Sequence, residues 1–144
     1  MRKFEIMRPE GIIPLRGTSY SAGYDFAVPE EVTIEPGEQK TVKLAVCAQM
    51  EKDEVLLIFI RSSLGMKKGL ILANGTGVID SDYYGNPSNG GEICVCLKNL
   101  SDKSCTIQKG ERVAQGIFVK YLTTDDDAAE GKTRTGGIGS TGTI

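Results

Sequence analysis

Apolar and polar residues alternate along most of this chain. Phe4 and Ile6 alternate with polar neighbours, then Val32 and Ile34, then Val42, Leu44 and Val46, then Ile93, Val95 and Leu97. A period of two puts such residues on one face of a strand. Residues 55–60 are instead a continuous apolar run, the pattern of a strand covered on both faces. Residues 113–121 form a further strand after the turn Lys109-Gly110-Glu111-Arg112. Ile12, Ile13 and Leu15 surround Pro14, which predicts an edge strand or extended loop. The helical candidate before the tail runs from Arg61 to Gly69, with Ser62 as its cap and Gly69 as its stop. Pro36-Gly37 marks a turn and Asn74-Gly75 a hairpin-type turn. Asn86-Pro87-Ser88-Asn89-Gly90-Gly91 reads as a flexible loop. Many short strands with turns every eight to twelve residues predict a sandwich or barrel over residues 1–122. Residues 123–144 are polar and rich in Gly and Thr, and read alone as disordered.

Composition narrows this picture. The chain has 144 residues, which favours one domain, and 18 glycines spread along it suit a β-protein with many tight turns. A net charge of −2, from 17 basic and 19 acidic residues, argues against broad electrostatic binding to nucleic acid. It leaves room for a small anionic substrate. There is no histidine, so Ser-His-Asp and Cys-His catalysis are excluded. Acid–base chemistry then falls to Asp, Glu, Lys, Tyr or Cys. The four cysteines include Cys94 and Cys96, a Cys-x-Cys that reads as small strand residues rather than a zinc site. No stretch resembles a signal peptide or a membrane span, and the cytoplasm is the expected compartment.

The chemistry concentrates in Gly77-Val78-Ile79-Asp80-Ser81-Asp82-Tyr83-Tyr84-Gly85. On a strand or hairpin arm, Asp80 and Asp82 would share one face. A carboxylate beside aromatic walls serves as a general base, and an aromatic packs a sugar or a base. The same residues also suit an acidic surface turn. Four other polar segments interrupt the strands. They are Ala22-Gly23-Tyr24-Asp25-Phe26, Arg61-Ser62-Ser63-Leu64, Gly110-Glu111-Arg112-Val113-Ala114-Gln115 and Gly136-Gly137-Ile138-Gly139-Ser140-Thr141-Gly142.

In these five segments, in this order, the chain resembles the trimeric dUTP diphosphatase (dUTPase) family, whose third motif runs G-x-I-D-x-D-Y-x-G. The resemblance spans residues 21–142. It implies an all-β distorted jelly-roll, or β-clip barrel, with a flexible C-terminal arm over residues 123–144, assembled as a homotrimer with shared sites. It implies hydrolysis of dUTP to dUMP and pyrophosphate by water attack on the α-phosphorus. Such an activity limits uracil in DNA and supplies dUMP for dTMP synthesis. Asp80 would be the general base and Tyr83 the wall against the deoxyribose. Asn74 and the hairpin backbone at Gly77 would read the uracil edge. Arg61, Ser62, Ser63, Gly65 and Gln115 would donate to the phosphates, although strand-end and helix-capping roles suit Arg61, Ser62 and Ser63 as well. Arg134, Ile138, Gly139, Ser140 and Thr141 would close over the nucleotide as the arm. Mg²⁺ is implied mainly by the triphosphate, with Asp25 either holding the ion's water shell or fixing a turn. Asp82 reads as a brace and Arg112 as a structural ion-pair former. No nucleic-acid or membrane partner is implied.

Three departures stand out. Ile138 replaces the usual arm Phe, Arg134 lies four residues before it rather than five, and residues 86–91 lengthen the loop after the third motif. A dCTP deaminase-like enzyme shares the fold and an Arg-Ser-Ser-Leu-Gly segment, but Asp80-Ser81-Asp82-Tyr83 favours the diphosphatase. A non-catalytic nucleotide sensor or protein-binding relative is the third reading, and an intact Asp80 argues against it.

Overall fold

The computed structural model of the chain describes residues 1–137. The strands among them are β1 (Lys3–Ile6), β2 (Leu15–Arg16), β3 (Tyr24–Ala27), β4 (Val32–Ile34), β5 (Gln39–Lys43), β6 (Val46–Gln49), β7 (Glu54–Ile60), β8 (Leu70–Leu72), β9 (Gly77–Asp80), β10 (Cys94–Asn99), β11 (Cys105–Ile107) and β12 (Arg112–Lys120). One helix, α1 (Ser62–Lys68), and a 3-10 turn at Ser81–Tyr83 interrupt them. Every pairing is antiparallel. A five-stranded sheet has the order β2-β3-β12-β7-β9, and a three-stranded sheet the order β5-β10-β8. β1 pairs with β6, and β11 with β4.

The alternation in the sequence sets the faces. On β10, Val95 and Leu97 are buried while Cys94 and Cys96 are only half-buried on the opposite face. Together with Phe26, Leu44, Leu56 and Ile93, the two buried residues close one aliphatic cluster between the sheets. Phe4 caps an end of that cluster, edge-on to Tyr24 and Phe26 at 5.3 and 5.5 Å between ring centroids. β7 is buried through its first half, while Leu57, Phe59 and Ile60 are only half-covered. Pro14 does lead into an edge strand, β2.

Three local expectations change in the fold. Asn74-Gly75 turns the chain, with Gly75 at φ 76°, but closes no hairpin. β8 pairs with β10, and β9 with β7, so the turn carries the chain from one sheet to the other. Turn chemistry bends the backbone, whereas apolar burial chooses the partner strand. Ser62 does not cap α1: the N-cap is Arg61, without a side-chain cap bond. Gly69 does end the helix, at φ 69°, a left-handed conformation that favours glycine. Residues 86–91 are not loose. Asn86 Nδ2 donates to the Tyr83 carbonyl at 2.8 Å and to Asn89 Oδ1 at 2.7 Å. Asn86 Oδ1 accepts from the Ser88 and Asn89 backbone amides. Asn side chains satisfy nearby backbone groups in this way, so a polar segment folds without apolar residues.

Glu92 ties the loop to the N-terminal segment. Its carboxylate is buried, pairs with Arg8 at 2.5 Å and accepts the Ala45 amide at 2.9 Å. Ala45 holds φ 60°, a strained value for a residue with a Cβ. Residues 121–137 carry no strand or helix. No helix among the described residues is long and apolar enough to cross a membrane.

Removing the Glu92 carboxylate leaves the Ala45 amide and Arg8 without that partner. Because Arg8 is partly solvated, Glu92→Ala is expected to cost about 2 kcal/mol, below the full figure for breaking a buried pair. Glu92→Gln keeps an acceptor and should cost less. Urea midpoints measure both, and an unchanged midpoint for Glu92→Ala would contradict the role.

Candidate active site

β9 lies antiparallel to β7, with Gly77 opposite Ile58 and Asp80 opposite Val55. Gly77 suits that packing: a Cβ there would stand 3.0 Å from the Ile58 Cβ, a tight contact. The strand stops at Asp80, where the 3-10 turn begins. Asp80 and Asp82 therefore do not share a strand face, as the sequence had implied. An arginine joins them instead. Arg134 donates from Nη2 to Asp80 Oδ2 at 2.7 Å and from Nε to Asp82 Oδ1 at 2.8 Å. The hydrogen bond to Asp82 and the charge of both carboxylates raise the guanidinium pKa above its ordinary value, against a smaller desolvation effect.

The same turn swings Tyr83 inward. Its ring is buried, and its hydroxyl donates to the Glu92 carbonyl at 2.5 Å while accepting from Asn89 Nδ2 at 3.0 Å. Burial pushes the phenol pKa up, so the group stays a neutral donor. Arg134 lies 6.0 Å from the centroid of this ring, at the outer limit of a cation–π contact.

These groups border a cavity of about 630 Å³. One side is β9 and Tyr83, and the other is the outer face of the three-stranded sheet. Asn74, Gly77, Asp80, Tyr83 and Arg134 all line it. Thr41, Cys94 and Cys96 line it as well and were not singled out as site residues. Their outward positions were readable from the β5 and β10 alternation; that this face borders the cavity was not. Gly137 is buried at the rim, where a Cβ would come within 2.8 Å of Asn89 Nδ2.

Arg61, Ser62, Ser63, Gly65 and Gln115 do not line the cavity. Gln115 lies between Asp25 and Phe59 in the sheet, and Arg61 follows the end of β7. Asp80 is opposite Val55, at the start of β7. At about 3.3 Å per residue, the run from Val55 to Arg61 spans roughly 20 Å. One chain thus sets two groups apart, the cavity with Asp80 and, at the far end of β7, the donor cluster that the resemblance implies at Arg61, Ser62, Ser63 and Gln115. Asp25 belongs to the second, where Arg112 Nη1 meets its Oδ2 at 3.3 Å. Among the described residues no group of three or more His, Cys, Asp or Glu could hold a metal ion. Ile138, Gly139, Ser140 and Thr141 lie outside the described residues.

The fold and site define a class: a mostly β protein that sets a carboxylate at a cavity with an aromatic wall. Comparison with known proteins is more specific. The dUTPase family model matches residues 9–142. A protein of Lactococcus lactis subsp. lactis (strain IL1403), named deoxyuridine 5'-triphosphate nucleotidohydrolase, is 46% identical over 99% of this chain and 98% of its own. The crystal structure of dUTPase from Streptococcus mutans is 44% identical, with a TM-score of 0.80 over 85% of this chain and 98% of that one. A mutant dUTPase from phage phi11 of S. aureus, described as coordinating a structural Mg(II) ion, shares the fold at 23% identity and a TM-score of 0.76, over 90% of this chain and 97% of that one. The chain belongs to the dUTPase family.

The Arg134 contacts fasten residues 132–137 over the cavity. Both carboxylates are more than half exposed, so the pair of contacts is weaker than a buried ion pair and is worth about 1 kcal/mol. Arg134→Ala should therefore speed amide hydrogen exchange at residues 132–137 by about fivefold, since 1.4 kcal/mol corresponds to tenfold. Unchanged exchange there would show that the contacts do not hold the segment.

Proposed function

We propose that the protein hydrolyses dUTP to dUMP and pyrophosphate. The observation that carries this reading is the position of Asp80, at the end of β9 beside Tyr83 and at the mouth of the cavity. Family membership supplies the substrate class. Asp80 takes a proton from a water, the water oxygen bonds the α-phosphorus, and the bond to the bridging oxygen breaks, releasing pyrophosphate. The Tyr83 ring packs the deoxyribose and leaves no room for a 2′-hydroxyl. Asn74 and the backbone near Gly77 read the uracil edge. Donor mismatch rejects cytosine, while the extra methyl of thymine is worth only ~1–3 kcal/mol and must be refused by shape.

Arg134 occupies both carboxylates before nucleotide arrives. It exchanges them for phosphate oxygens as residues 123–144 close as an arm, joined by Ile138, Gly139, Ser140 and Thr141. This frees Asp80 to act as base. The remaining phosphate donors, Arg61, Ser62, Ser63 and Gln115, lie too far along β7 to serve Asp80 of the same chain. A homotrimer that sets one chain's donor cluster against the next chain's cavity resolves the mismatch. The residues also fit Mg²⁺. Such an ion keeps its waters and binds mainly triphosphate oxygens, and Asp25, which pairs with Arg112, would hold its water shell. Bound there, the ion would neutralise phosphate charge.

With Mg²⁺ present, purified protein should release pyrophosphate from dUTP far faster than from UTP, dTTP or dCTP. Ammonia from dCTP would favour a deaminase, and no turnover of any nucleotide a sensor. Asp80→Asn should abolish turnover while dUTP still binds. Light scattering should return three times the chain mass; a monomer that turns over dUTP would remove the shared site.

A further inference from the structure

The cavity wall carries two thiols that the proposed reaction does not use. Cys94 and Cys96 are two apart on β10, so both side chains leave the sheet on the same side. Val95 between them is buried in the core, which fixes that side as the outer one. Both cysteines are unbridged, half-buried and part of the cavity lining. Thr41, the register partner of Cys96, lines it beside them. Two residues along a strand set the Cα atoms about 6.6 Å apart. That is the outer end of what a disulfide spans, and the two Cβ vectors run parallel instead of facing each other. The pair is poorly placed to bridge to itself. Rotation about the Cα–Cβ bonds still brings both sulfurs within reach of one atom bonded to each. Cys47 and Cys105 are buried and do not line the cavity.

The geometry points to a vicinal-dithiol site on the cavity wall that takes a trivalent organoarsenical and closes the cavity to nucleotide. Soft sulfur ligands favour such a centre, and only two are required. With phenylarsine oxide the step is a condensation. Two As–S bonds form and the arsenic–oxygen bond breaks. Both thiol protons leave on that oxygen as water, and no atom changes oxidation state. Burial and the nearby Glu92 push the Cys94 thiol pKa up. The condensation tolerates this, because it consumes thiol protons. Closure of the cavity to nucleotide rests on the proposed dUTP reading; the arsenical site itself does not.

Purified protein is treated with phenylarsine oxide, then examined by intact mass, by mass of the peptide containing residues 94–96, and by dUTP turnover. A single bridging adduct on that peptide is expected, with turnover lost. An excess of 2,3-dimercaptopropanol should restore turnover, and the same excess of a monothiol should not. Cys94→Ser and Cys96→Ser, each read against its own untreated rate, should keep turnover at that dose. An adduct on Cys47 or Cys105, or sensitivity retained in both variants, overturns the proposal. So does a mapped adduct that leaves dUTP turnover undiminished. If the untreated protein never hydrolyses dUTP, the functional reading fails, and peptide mass on the unmutated chain still decides whether the thiol site exists.

Discussion

The register of β7 is the constraint on which the rest depends. β7 pairs on one side with β9 and on the other with β12. The first pairing places Asp80 at its start, and the second places Gln115, and through it Asp25, near its end. Leu56 and Ile58 are almost fully buried on its core face while Leu57 and Phe59 are only half-covered on the other, and slipping by one residue would exchange the two sets. The distance between the two groups is therefore as firmly set as the core itself. A chain folded this way cannot bring its own donor cluster to its own carboxylate by side-chain motion. On the proposed reading, residues from another copy complete the site.

The cavity is shaped by a second, polar framework. Tyr83 faces the cavity because its hydroxyl is held between the Glu92 carbonyl and Asn89, and Asn89 is held in turn by Asn86. Glu92 reaches onward to Arg8 and to the strained Ala45. Among the described residues no buried side-chain nitrogen or oxygen lacks a partner. A fully satisfied network is stiff, and removing one member exposes the others to an unmet desolvation cost. The lengthened loop after the third motif is part of this framework, since it supplies both asparagines.

The strands were legible because burial on one face writes a period of two into the sequence. The short helix was legible from Gly69, which ends it in a left-handed conformation. The partners of those strands were not legible. Asn74-Gly75 looks like a hairpin, yet its flanking strands join different sheets, a choice made by long-range burial. Asp80, Tyr83 and Asn74 could be named from their motif, and they do meet at one cavity. Glu92, Asn86 and Asn89 were missed because a single acidic residue or a loop asparagine looks the same whether solvated or buried. The regular spacing of Asn86 and Asn89 was the available signal, since side chains three apart in a turn can bond each other.

The position of Arg134 bears on how such a site can be both held and released. Arg134 pairs with two carboxylates that would otherwise repel an anionic ligand. Those carboxylates are more than half exposed, so water competes for them and each contact contributes little. A phosphate offers the planar guanidinium two parallel, charge-assisted bonds from one group, whereas its contacts here go to two separate carboxylates. On the proposed reading the guanidinium exchanges these weak contacts for phosphate oxygens when nucleotide binds. A buried carboxylate pair would have bound the arginine too tightly to give it up. A lone Asp80 would have left Arg134 without its contact to Asp82. Asp82 thus has a physical reason to be there without acting as a second base: it shares the arginine that the proposed reaction requires Asp80 to lose.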